Sequence, residues 1–560
     1  MSEKITYSPV TLWRDFDSEA LELDVEVVEN GEKDGLIYTY QYFNGEKCPD
    51  GNSRVYSLFV HKKGKRDLPA VLLLGEPDKR MDVRHAEYWA NKGYAVLVFD
   101  NAGEGDDAER FTLYPKSIDY ANIRRAGRHA TNCDTNAKET SWYHWAINTR
   151  RAVTFLEKSE VVDVESIGLV STSYASYIAC MVAAFEKHLS VCAVVFGVCY
   201  QELDVNDSPI SREQSEEAEE RERWFAAIAP QSYLIHMRTP FYLCVGSNSG
   251  TSDLDKTYRS FELIPEQTPK AIWIAHKTTD DGNPIFLKNL EKWLTLRLKK
   301  QIDPELMPEV GFKVMNKKLN IIVRVPDDEA VTDVTVYFAR ETKKSDTRNW
   351  RELEMERVAD GIYRAKVQVF DKKKSCFAYC DVRYRGGMVL SGNLIEIKPD
   401  DVKNVSADRP GKLIYNYQMG EGDFLVYDPY QKDFNNYFGD NSLEVKTGAQ
   451  NLKGLAGKVF ATFALNDPKY LKHEDSLLTF DVYSEKEQNL LVTCVADYGK
   501  KQRLFSVTKK LLGVDMWQKV CVSTNELKGD VGRRPSGWGD CEVLCIKADD
   551  EILINNLLLT

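Results

Sequence analysis

The chain is 560 residues long, which at roughly 150 residues per domain points to three or four units. Hydrophobic residues make up 43% and charged residues 29%, which excludes a wholly disordered chain. Lys plus Arg number 74 against 86 Asp plus Glu, a formal charge of −12, so a nucleic-acid backbone is excluded as the main partner.

The first 65 residues hold two β-rich runs, Leu36-Ile37-Tyr38-Thr39-Tyr40 and Val55-Tyr56-Ser57-Leu58-Phe59-Val60, expected to lead antiparallel into the sheet that follows. From about 66 to 302, apolar runs alternate with longer amphipathic stretches. Six runs read as buried strands, at 70–75, 94–100, 166–170, 191–196, 241–246 and 270–275. Their continuous apolarity requires a sheet covered on both faces. Helix patterns fall at Trp142 to Leu156, Tyr174 to Phe185 and Phe286 to Leu298. Strand and helix in alternation predict a doubly wound, mostly parallel α/β sheet in a first domain, 1–302. A charge run from Arg212 to Arg223 reads as a solvated helix face. Its place between two core strands suggests a lid insertion near 198–235.

Beyond Leu298 the texture changes. Pro304 and Pro308 mark a linker, and short alternating runs at 319–325, 334–338, 365–369 and 377–382 predict an immunoglobulin-like sandwich over 303–400. Asp400 to Gly411, with Pro410, reads as a second linker. Residues 412–560 are again all β, with runs at 477–482, 490–495, 519–522 and 552–559, and their length fits a jelly roll. Trp517 and Trp538, with Tyr427 and Tyr498, could present flat apolar faces to a sugar; burial in a sandwich core is the other reading.

No stretch approaches the ~20 apolar residues of a bilayer span, so no membrane partner is expected. The opening Met1-Ser2-Glu3-Lys4-Ile5-Thr6 lacks a basic segment followed by an apolar run, which reads as no signal peptide and a cytoplasmic location. Twelve cysteines are too few for a disulfide scaffold, and Cys192, Cys244, Cys494 and Cys521 sit in strand-like runs as small buried hydrophobes. No Cys/His set has zinc spacing, and neither a metal nor an organic cofactor is expected. Nothing in the sequence sets an oligomeric state.

The segment from Ser166 to Tyr177 is a strand, a small-residue turn and a helix. That is the context in which a strained turn lifts a nucleophilic serine above an α/β sheet, and Ser173 occupies the position. Ser171 and Ala175 stand where a GxSxG motif has glycines. A serine that merely caps the helix is the alternative. Nearby, Gly103-Glu104-Gly105-Asp106-Asp107 is no phosphate loop, since it lacks a lysine and adds acid. His129 and His144 lie after the second core strand, the first reading as a surface residue and the second as a packed one.

With Pro69 to Gly75, Gly93 to Asp100, Trp142-Tyr143-His144-Trp145 leading to Arg150-Arg151-Ala152-Val153, and the turn at Ser173, residues 35–300 resemble the α/β-hydrolase superfamily. The similarity is to the acetyl-xylan-esterase, dienelactone-hydrolase and prolyl-oligopeptidase-like branch. It implies a triad in the chain order serine, acid, histidine, with an oxyanion hole made by the backbone N–H groups of Tyr174 and Glu76. His276 follows the last strand and would be the base. The usual acid slot holds Ser249, so Asp253 or, alternatively, Asp255 would be the acid. Thr278, Thr279 and Asp280 fill positions where related sequences often carry the histidine. The resemblance implies a serine-dependent carboxylic ester hydrolase acting on a small-molecule or carbohydrate ester, with acetylated carbohydrate as one candidate. The departures leave open a hydrolase-like scaffold that binds a glycan or protein partner without turnover.

Overall fold

The computed structural model describes residues 4–560 apart from 105–108, 202–211, 251, 278–284, 300–306, 327, 341–343, 432–442, 474 and 499–501. The chain divides into two compact units. The first comprises Met1–Val245, Lys256–Ile272 and Phe286–Pro304. The second comprises Gly246–Asp255, Trp273–Ile285 and Glu305–Thr560. Two loops within the expected first domain thus group with the antiparallel C-terminal part.

The large mixed sheet starts with β1 (Glu26–Lys33), β2 (Leu36–Cys48) and β3 (Gly51–Lys62), an antiparallel meander. It continues through β4 (Leu68–Leu74), β5 (Ala95–Phe99), β6 (Val162–Thr172), β7 (Val191–Val195), β8 (Phe241–Gly246) and β9 (Lys270–Ala275). The order is β1-β2-β3-β5-β4-β6-β7-β8-β9. β3 joins β5 antiparallel, and β5, β4, β6, β7 and β8 run parallel. Every residue of β5, β7 and β8 is buried, which is why these strands read as unbroken apolar runs. β1 is a polar edge strand, exposed along most of its length, and carries no such run.

The helices are α1 (Pro9–Trp13), α2 (Val83–Asn91), α3 (Ser141–Glu157), α4 (Ser176–Ala183), α5 (Arg212–Ile228), α6 (Gln231–Leu234), α7 (Leu254–Glu262) and α8 (Ile285–Leu298). α3 is capped by Thr140, whose hydroxyl accepts from the Tyr143 N–H (3.4 Å). Its Arg151 is buried and donates to the carbonyls of Asn44 (3.1 Å), Leu21 (2.6 Å) and Ser18, fastening the N-terminal segment to the sheet. No helix among the described residues is long and apolar enough to cross a membrane.

The charge run on α5 is not wholly solvated. Arg223 is buried and donates to the carbonyls of Cys133 (3.1 Å) and Asp134 (2.9 Å). Glu220 is buried beside Arg128 and Asn132. These charges fix the helix to the 128–134 loop, and residues 202–211 of the expected lid lie outside the described residues.

In the second unit, β10 (Glu309–Met315), β11 (Lys318–Arg324), β14 (Glu356–Ala359) and β15 (Ile362–Val367) form one antiparallel sheet, ordered β10-β11-β15-β14. β12 (Val331–Arg340), β13 (Arg351–Leu353), β16 (Cys376–Tyr384), β17 (Val389–Ser391) and β18 (Ile395–Ile397) form another, in which β12 and β16 pair along their length. A third antiparallel sheet is built around β27 (Val543–Leu559). Its other strands are β19 (Leu413–Tyr415), β20 (Phe424–Leu425), β21 (Glu444–Thr447), β22 (Lys453–Thr462), β23 (Leu478–Tyr483), β24 (Gln488–Ala496), β25 (Arg503–Leu511) and β26 (Gln518–Val522).

Two sequence expectations fail here. Trp538 is only 2% exposed within the apolar core of this last sheet, with its Nε1–H donating to the Ser476 carbonyl (2.8 Å), so it cannot stack on a sugar. Cys521 is exposed because β26 alternates and the thiol falls on the outer face between buried Val520 and Val522. None of the twelve cysteines is in a disulfide.

Candidate active site

β6 ends at Thr172, a single 3₁₀ turn covers Ser173–Ala175, and α4 follows. Ser173 has φ +50°, the left-handed region that costs an L-residue about 1–2 kcal/mol. The chain turns here from strand to helix across three residues, and the serine is left partly exposed at the start of the turn. Small side chains make the turn possible. Ser171 and Ala175 are both fully buried, and a Cβ added at Gly197 would come within 2.8 Å of Ser176 Cβ. The Ser176 hydroxyl donates to the Val198 carbonyl (2.9 Å), closing the post-β7 segment against the start of α4.

Tyr174 is 40% exposed, with its ring tilted against Tyr177. Tyr177 stacks on Trp142 at 4.9 Å and lies 6.1 Å from buried Trp224, an aromatic bed beneath the turn. At the end of β4, Glu76 is half-buried and its carbonyl accepts from the Lys79 N–H (2.9 Å).

In the second unit, the loops after β8 and β9 are bound to each other and to the antiparallel sheets. Ser247 N–H donates to the Ala275 carbonyl (3.0 Å), and Lys277 N–H donates to the Ser247 hydroxyl (2.9 Å). Asn248 donates to the carbonyls of Asp346 (3.0 Å) and Arg348 (2.9 Å). His276 stacks on Tyr337 with centroids 4.1 Å apart. The residue is half-buried but its Nδ1 is buried, and desolvation, with adjacent Lys277 adding to it, holds the imidazole well below its ordinary pKa. It is therefore neutral at neutral pH.

Asp255 accepts from both Arg348 Nη1 and Nη2 at 2.5 Å. Arg348 is fully buried, with its guanidinium 3.5 Å from the Phe377 ring centroid. Asp253 is half-buried on the same loop, and Ser249, in the usual acid slot, is buried with its hydroxyl accepting from Ser252 N–H (3.1 Å).

In the first sheet β3 lies antiparallel beside the parallel block β5-β4-β6-β7-β8, and a left-handed serine follows β6. Residues 26–275 form a mostly parallel α/β sheet that resembles the sheet of α/β hydrolases. No family model and no curated protein matches the chain. Among solved structures, the chain is similar to the acetyl xylan esterase from Paenibacillus sp. R4, at 15% identity over 50% of this chain and 91% of that one, TM-score 0.40. Acetyl xylan esterase 1 from Thermoanaerobacterium sp. JW/SL YS485 matches at 13% identity over 52% and 94%, TM-score 0.41. A cold-adapted esterase from an Arctic intertidal metagenomic library matches at 12% identity over 49% and 99%, TM-score 0.33.

Of the residues singled out from sequence, Ser173, Tyr174 and Glu76 lie in the first unit, and His276, Asp253 and Asp255 in the second. Thr278, Thr279 and Asp280 are outside the described residues. Trp517 is half-buried, its indole N–H donating to the Ala449 carbonyl (3.1 Å).

Sequence reasoning missed a polar network in the first unit. Buried His144 bonds through Nδ1 to Glu46 Oε2 (2.5 Å) and through Nε2 to the Tyr120 hydroxyl (3.1 Å). Tyr120 in turn stacks on His129 at 4.0 Å. Glu46 and His144 are 98 residues apart, and no local pattern announces the pair. Among the described residues, Glu157, Glu186 and His188 bring ligand atoms within 4.8 Å of one another. Glu186 already accepts from Arg150 Nε (3.1 Å), so a cation there would face a guanidinium, and the group is an ion-pair network.

Proposed function

We propose that the chain is a serine-dependent carboxylic ester hydrolase. The observation that carries this reading is Ser173 held at φ +50° on the turn between β6 and α4. Backbone strain of this kind persists where the surrounding structure imposes it, and it clusters at reactive residues. In the proposed mechanism the Ser173 hydroxyl attacks the ester carbonyl as His276 takes its proton, and the protonated imidazole then passes that proton to the leaving alcohol. Water attacks the acyl-enzyme by the same path in reverse. The backbone N–H groups of Tyr174 and Glu76 hold the oxyanion. The neutral state of His276 suits a base. Both oxygens of Asp255 are taken by Arg348, so we assign Asp253 as the acid that orients the imidazole.

Acetylated sugars are the substrates to try first, with p-nitrophenyl acetate as a general probe. In this reading an immunoglobulin-like middle part and a C-terminal jelly roll accompany the hydrolase, and the half-buried Trp517 is the remaining aromatic for a sugar contact. Ser173→Ala, folded as judged by circular dichroism, is expected to lose at least about 10³-fold in kcat/KM. Unchanged turnover in that variant overturns the mechanism.

A further inference from the structure

A closed circuit of contacts surrounds His276 inside the second unit. Its ring lies on Tyr337 of β12, with centroids 4.1 Å apart and planes 21° from parallel. Tyr337 stacks in turn on Tyr379 of β16 at 4.9 Å, and Trp350 meets Tyr379 edge-on at 4.9 Å. Trp350 donates its indole N–H to the Ser247 carbonyl (3.2 Å), and the Ser247 hydroxyl accepts from Lys277 N–H (2.9 Å). The circuit thus returns to the residue after the histidine. Lys277 sits at φ +51°, and its Nζ donates to the Gly422 carbonyl (2.9 Å), anchoring the same loop a second time.

We propose that Tyr337 is a positioning residue for His276: the antiparallel part of the chain supplies the flat, rigid platform that fixes the plane of the imidazole. This rests on the reading of His276 as the base. The physical grounds are geometric. A ring on a short loop can rotate about two side-chain torsions, and face-to-face packing against a ring buried in a β-sheet removes that freedom. Tyr337 is only 8% exposed and its own far face is covered by Tyr379, so the platform cannot tilt away. A base turned out of line with the serine hydroxyl loses proton transfer while substrate still binds.

The test compares Tyr337→Phe, which keeps the flat ring, with Tyr337→Leu, which removes it, in the full chain. Tyr337→Met, apolar and adaptable, replaces the leucine variant if that one fails to fold. Ester hydrolysis is expected to fall about 10–100-fold in kcat for Leu or Met with KM nearly unchanged, and Phe to retain most of kcat. A second readout needs no activity: the imidazole carbon and nitrogen shifts of His276, assigned through His276→Asn and followed by NMR against pH. Among the described residues, Lys277 on its own loop is a charged group and Tyr337 on β12 a titratable group packed against it. Loss of the ring is expected to raise the titration midpoint of His276 toward an ordinary histidine's, while Phe leaves it in place. An unchanged His276 titration, or an equal kcat loss in Phe and Leu, overturns the positioning role. A shifted titration in a folded protein without esterase activity upholds the platform and overturns the hydrolase reading instead.

Discussion

Replacing Ser173 by glycine is expected to abolish turnover and yet leave the protein more stable than Ser173→Ala does. At φ +50° an L-residue carries about 1–2 kcal/mol of steric cost that glycine does not. Alanine keeps that cost, because it keeps the Cβ. Glycine loses about 0.5–1 kcal/mol through the greater freedom of its unfolded chain. The difference favours Ser173→Gly over Ser173→Ala by about 0.5–1 kcal/mol, or a melting temperature about 1–4 °C higher for a unit of this size. Ala175→Gly is the control two residues away. Ala175 has an ordinary φ of −61° and is buried, so its replacement should lower stability by about 1 kcal/mol or more. Differential scanning calorimetry of the three variants reads the comparison directly. If Ser173→Gly melts below Ser173→Ala by the margin that Ala175→Gly shows against wild type, Ser173 does not occupy a strained turn.

Arg348→Met should cost the second unit about 3 kcal/mol by leaving the Asp255 carboxylate without its cation, lowering its melting temperature by about 6–12 °C; adding Asp255→Asn should recover part of the loss. Asp253→Asn should cut kcat by at least about 100-fold, whereas Asp255→Asn should lower stability and spare kcat; the reverse pattern would make Asp255 the acid. Burial pushes the Asp381 carboxyl up to about 7, so the folded protein holds a proton there that the unfolded chain releases near its ordinary ~3.9. That contribution is present at low pH and fades as pH rises through 7. Against wild type, Asp381→Asn should therefore flatten the fall in melting temperature between pH 5 and pH 8, and an unchanged slope would contradict it.

Much of the first, mostly parallel sheet was readable from sequence because its strands are buried on both faces. The runs at 241–246 and 270–275 coincide with β8 and β9, and the serine turn showed itself by small residues between a strand and a helix. β1 escaped because it is a polar edge, and the first half of β27 because Lys547, Asp549 and Asp550 interrupt its apolar pattern. The surroundings of the histidine were not readable at all. Tyr337 reaches His276 and Arg348 reaches Asp255 from 61 and 93 residues away, through pairings that only the assembled sheets create. The charges of α5 misled for the same reason, since Arg223 is satisfied by carbonyls of a distant loop.

The central claim is that Ser173 is an activated nucleophile. A fluorophosphonate bonds covalently to such a serine and leaves inert hydroxyls unmarked. Intact mass spectrometry after treatment should show one adduct per chain, with peptide mapping placing it on Ser173 and Ser173→Ala abolishing it. A folded protein that takes up no adduct would contradict the hydrolase account and leave the fold as a scaffold for binding.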